Sequence, residues 1–123
     1  MIVRWAPAQG FAPSPSTGEP IVGTLATTAQ TAVLAYTPPA DGGFVVYLAL
    51  TVSATATVTA SVTYTDLGGN ARTEPMVANS LPAGGYSLVP VTVAAKGGHA
   101  VTLLVQATVQ NAVEVTASIE GLV

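Results

Sequence analysis

The sequence predicts an all-β protein, an antiparallel two-sheet sandwich of about eight strands, jelly-roll-like, with an extended Pro-rich N-terminal arm. Three observations lead there. Apolar residues recur with period two through most of the chain, β-branched residues fill those runs, and tandem glycines or prolines interrupt them. At 123 residues the chain has the length of one domain.

Residues 1–19 form the arm, and residues 20–123 the sandwich. Pro7, Pro13, Pro15 and, at the border, Pro20 fix φ and remove donors, so extended geometry is expected there rather than helix or a central strand. Ile2, Val3, Trp5 and Phe11 give the arm apolar anchors that a disordered tail lacks. These four are the expected contacts to a partner, with the arm laid on a neighbouring subunit.

The strands are expected near residues 20–26, 31–37, 43–53, 56–65, 71–78, 86–95, 100–109 and 112–120. In the third, Phe44, Val46, Leu48, Leu50 and Val52 fall on one face. In the fourth, Val58, Ala60, Val62 and Tyr64 oppose Thr57, Thr59, Ser61 and Thr63. The seventh sets Val101, Leu103 and Val105 against Thr102, Leu104 and Gln106; the eighth sets Val113, Val115, Ala117 and Ile119 against Glu114, Thr116, Ser118 and Glu120. Between them, Pro38-Pro39-Ala40-Asp41-Gly42-Gly43, Asp66-Leu67-Gly68-Gly69-Asn70, Pro82-Ala83-Gly84-Gly85 and Lys96-Gly97-Gly98-His99 supply the fixed or positive φ of turns. Eight short strands without a helical stretch suit a jelly roll.

Composition narrows function. Half the residues are hydrophobic and 7% are charged, against about 25% in average soluble proteins. A surface so poor in ions implies either burial against other subunits, the favoured reading, or work where a neutral, hydroxyl-rich coat is tolerated. Net charge is −3, and the three basic residues, Arg4, Arg72 and Lys96, are scattered, which excludes a phosphate-binding patch and hence nucleic acid. The longest apolar stretch, Phe44–Val52, is far shorter than the roughly 20 residues of a membrane helix. Pro7, Gln9 and Gly10 interrupt any signal-peptide core, so a chain made in the cytoplasm is expected.

Catalytic and metal chemistry find few residues. There is no cysteine, and there is one histidine. His99 follows Gly97-Gly98 in a hairpin turn, the place of a solvated turn residue. No Gly-x-Ser-x-Gly elbow exists for a serine nucleophile. Asp41 and Asp66 sit in glycine-rich turns, where aspartate caps its own backbone, and no acidic cluster offers calcium six to eight oxygens. No enzyme, cofactor or metal is therefore expected. Trp5, Tyr36, Tyr47 and Tyr86 could together form a sugar-stacking platform. Tyr47 lies on the face opposite Phe44 and Val46, at a surface or an interface.

The second half of the chain carries a further pattern: a Thr-rich strand ending in Tyr64-Thr65-Asp66, the turn Gly68-Gly69, the aromatic-led strand from Tyr86, Ala95-Lys96-Gly97-Gly98, and a closing Ile119-Glu120-Gly121-Leu122. It resembles small β-sandwich virion proteins of tailed bacteriophages, of the capsid decoration or head-fibre type, and departs from them at Gly97 and His99. The resemblance implies a structural virion protein that binds an assembled shell as a homo-oligomer, a trimer, with the major capsid protein or another virion protein as partner and the virion as its location. The alternatives are a carbohydrate-binding or host-adhesion module of a phage tail or head fibre, and a bacterial surface filament subunit. In the last, an arm would add a strand to a neighbour, an action its prolines oppose.

Overall fold

A computed structural model of the chain describes residues 6–7, 11–12 and 21–122. Its strands are β1 (Ala6–Pro7), β2 (Phe11–Ala12), β3 (Ile21–Thr24), β4 (Thr31–Tyr36), β5 (Gly42–Val52), β6 (Ala56–Thr65), β7 (Ala71–Leu81), β8 (Tyr86–Ala95), β9 (Val101–Ala107) and β10 (Val113–Leu122). The eight strands β3 to β10 stack as two antiparallel sheets of four, and β1 and β2 add a two-residue strand to each. The first sheet runs β1-β4-β9-β6-β7 and the second β2-β3-β10-β5-β8. Chain neighbours such as β3 and β4, or β9 and β10, lie in opposite sheets, which is the jelly-roll path.

Alternation explains the layers. Along β5 the buried residues are Phe44, Val46, Leu48, Leu50 and Val52. β6 contributes Val58, Ala60 and Val62, β9 Val101, Leu103 and Val105, and β10 Val113, Val115, Ala117 and Ile119, all to the same interior. Burying each large aliphatic side chain contributes roughly 1.5–3 kcal/mol. Among the described residues no polar or charged residue is buried, so the interior rests on packing alone.

The strand boundaries match the sequence reading closely except in β7, which continues to Leu81 rather than stopping at 78. A bulge explains the difference. Ala60 faces Val77 while Ser61 faces Pro75, so Met76 is an extra residue and the period-two pattern slips there. Both β7 and β8 are edge strands, and each carries a proline in mid-run, Pro75 opposite Ser61 and Pro90 opposite Tyr47. An edge is where a missing N–H leaves the ladder whole.

Ile2, Val3 and Trp5 lie outside the described residues. Of the arm, Ala6 and Pro7 pair with Ala35 and Leu34 of β4, and Phe11 and Ala12 pair with Gly23 and Val22 of β3. The described arm residues thus pair with their own chain, one sheet after the other.

One end of the sandwich is knotted together. Gly97 lies so near the β4–β5 loop that a Cβ there would stand 2.6 Å from the Ala40 Cα. The Gly97 N–H donates to Asp41 Oδ1 at 2.8 Å, and the Gly98 N–H to the Pro38 carbonyl at 2.8 Å. Asp41 therefore caps a distant hairpin and not its own backbone, because Gly97 presses its N–H against the loop. Asp66 does cap locally: its Oδ1 accepts from the N–H groups of Gly68 at 3.0 Å and Asn70 at 2.9 Å, and its Oδ2 from Arg72 Nε at 2.7 Å.

Candidate functional site

The other end, where β3, β5, β7 and β9 finish, is open among the described residues. Consecutive strands of the second sheet bring four outward side chains into one row: Tyr86 of β8 faces Thr51 of β5, Thr51 faces Glu114 of β10, and Glu114 faces Thr24 of β3. Neighbours in such a row stand about 4.5–5.5 Å apart at Cβ. Thr24, Thr51 and Glu114 border a shallow depression of about 240 Å³ completed by Ser53 and Asn111. Tyr86, 64% exposed, stands beside it through its pairing with Thr51.

The loops around this depression are held by backbone hydrogen bonds. The Ser53 N–H donates to the Ala112 carbonyl at 2.8 Å, Asn111 N–H to Leu25 at 2.8 Å, and Gly84 N–H to Val52 at 2.7 Å. Asn111 takes φ of 57°, a left-handed conformation that asparagine tolerates better than most residues. Its bonded N–H fixes the residue at the rim. The depression is thus walled by hydroxyls, one amide, one carboxylate and the apolar Val52 and Ala112, on a hydrogen-bonded frame, with an exposed aromatic ring alongside. That set can hydrogen-bond a polyol and offer its C–H surface a flat apolar partner.

The aromatic residues of the sequence reading divide. Tyr47 is outward on the same sheet as Tyr86, half-buried, facing Pro90 and Ser118. It lies four residues along β5 from Thr51, about 13 Å at 3.3 Å per residue. Leu88 and Val22, both exposed, lie between these levels on the same face. Tyr36 packs edge-on to Phe44, ring centres 5.7 Å apart, and belongs to the core. Trp5 lies outside the described residues, and the side chain of Phe11 is likewise not described. His99 is exposed in its hairpin.

Thr24, Thr51, Ser53, Asn111 and Glu114 were not singled out by the sequence as a site. They come from three strands and two loops, and no local motif joins them. The period-two pattern does mark Thr51 and Glu114 as outward.

Away from this end, the Tyr64 hydroxyl is pushed above its usual value, by desolvation first and then by Glu74, to whose Oε1 it donates at 3.3 Å. The Arg72 guanidinium, and after it the Asn70 N–H, hold the Asp66 carboxyl below the usual carboxylate range.

No protein-family model and no curated protein matches the sequence. Solved structures match in shape. The CBM22-1 xylan-binding domain of Paenibacillus barcinonensis Xyn10C aligns over 96% of this chain and 85% of that one, at 13% identity and a TM-score of 0.55. CBM35 from Cellvibrio japonicus Abf62 aligns over 98% and 88%, at 10% identity and 0.53. The enzymatically active domain of bacteriophage CBA120 tailspike protein 4 aligns over 99% of this chain but 18% of that one, at 14% identity and 0.48, a likeness too low to argue from. At these identities the likeness is one of fold: the chain has the two-sheet β-sandwich found in carbohydrate-binding modules.

Proposed function

We propose that the chain is a non-catalytic module that binds neutral glycans at the open end of its second sheet. One observation carries this reading: exposed Tyr86 stands in register beside the depression walled by Thr51, Ser53, Asn111 and Glu114. A pyranose ring laid on Tyr86 turns its hydroxyls to these groups, with the Glu114 carboxylate accepting two of their hydrogens. The same carboxylate repels uronic acids, so neutral sugars are favoured. The fold shared with a xylan-binding domain supports the reading.

The test is an array of neutral and uronate-bearing glycans. Neutral glycans should bind more tightly than their uronate counterparts, and Tyr86→Ala should weaken binding about tenfold, the scale of one aromatic contact. Tyr86→Ala binding as wild type ends the reading.

A second reading, a homo-oligomeric virion subunit such as a capsid decoration protein, is favoured by the 7% charged composition together with exposed Leu88 and Val22 on one sheet face. Light scattering decides it. This reading requires a multiple of the 12.2 kDa chain mass, and a monomer at high concentration removes it.

A further inference from the structure

The β9–β10 loop that borders the depression beside Tyr86 also borders a second one on the opposite sheet. Ser53 and Asn111 line the first, while Thr57, at the start of β6, and Thr108, in the same β9–β10 loop as Asn111, line the second. This second hollow measures about 490 Å³ and is walled by Thr28, Thr57, Thr59, Gln106 and Thr108. Ala107 completes the wall, and among the described residues none of its lining is charged or aromatic.

Its frame is as fixed as that of the first. The Thr57 N–H donates to Thr108 Oγ1 at 3.0 Å, and the Thr108 N–H returns to the Thr57 carbonyl at 3.1 Å. Gln106 Nε2 donates to the Thr28 carbonyl at 3.1 Å, which leaves Gln106 Oε1 as an acceptor for another donor. Thr59 faces Gln106 across the β6–β9 ladder, so its hydroxyl and the Gln106 amide are neighbours on the outer face. From Ser53 to Thr57 the chain reaches at most ~14 Å, even fully extended.

We infer that the two hollows form one track over this end of the sandwich, which takes an extended neutral glycan chain across both sheets. The inference rests on the glycan reading above and adds the length and path of the ligand. Three features argue for it. Both hollows offer hydroxyls and a side-chain amide, the first adding the Glu114 carboxylate; the β9–β10 loop borders both, through Asn111 and Thr108; and the Thr57–Thr108 pair ties that loop to the start of β6. Tyr86 anchors one end of the chain, while the hydroxyl-lined side aligns the remainder. The second contact is then intramolecular, and affinity rises with chain length.

The experiment uses the full chain and an array of xylo-, cello- and galacto-oligosaccharides, each as dimer and as hexamer. The hexamer of a bound sugar should exceed its dimer in affinity by about tenfold or more. Thr59→Ala/Gln106→Ala, two exposed positions, should lower the hexamer to the dimer level and leave dimer binding unchanged. Far-UV circular dichroism checks that this variant keeps its sheet. Equal affinity for dimer and hexamer, or a hexamer indifferent to the double substitution, overturns the track and leaves the single hollow at Tyr86 standing. Failure to bind any sugar removes the glycan reading itself, and the track with it.

Discussion

The two ends of this sandwich use their carboxylates in opposite ways. At the knotted end, Asp41 and Asp66 are satisfied by the chain itself, through Gly97, Gly68, Asn70 and Arg72. At the open end the backbone of the loops is bonded, yet the side chains of Thr51, Glu114 and Thr59 make no hydrogen bond with another described residue. A sheet protein this poor in charge needs its few carboxylates to fix turns at one end, and it can then present hydroxyls to a ligand at the other. The lesson is that an aspartate in a glycine turn and a glutamate on a strand face answer to different demands, although both are simply acids in the sequence.

The largest effect that would sharpen this contrast is on stability. Gly97→Ala should cost about 3 kcal/mol, the upper part of the range for overpacking, because its Cβ meets the Ala40 backbone rather than a movable side chain. Chemical denaturation measures it. Tyr86→Ala at the open end, by contrast, should leave the denaturation midpoint in place while losing glycan affinity. If Gly97→Ala is neutral, the knotted end is not the stabilising one and the contrast fails.

The smallest effect concerns acid. With its carboxyl held below the usual range by Arg72 and Asn70, Asp66 contributes stability that is present above the ordinary carboxylate value and lost as pH falls through the depressed one. Asp66→Asn should therefore lower the melting temperature at neutral pH, and the difference from wild type should close in acid. The pair is at the surface, so the difference is small. A difference that stays constant with pH contradicts the assignment.

The fold was legible because each strand repeats its own evidence. Phe44 to Val52 or Val113 to Ile119 states its buried face every second residue, and glycine pairs mark the turns. Even β7 was found, although the Met76 bulge hid its last residues. The site was less legible, since Tyr86, Thr51, Glu114 and Thr24 are adjacent only after four strands have been set in register. Asp41 illustrates the same limit: its turn was plain, but its partner Gly97 is 56 positions away. Tyr47 was recognisable as an outward aromatic and Tyr86 as a possible sugar-stacking residue, and what stood beside them was not.

Pro75 and Pro90 carry a consequence for crowding. Each interrupts the row of donors on one rim of the sandwich, so copies set side by side cannot zip into a continuous ribbon. A chain with so little like-charge repulsion to hold its neighbours apart can thereby be displayed densely without turning into a fibre.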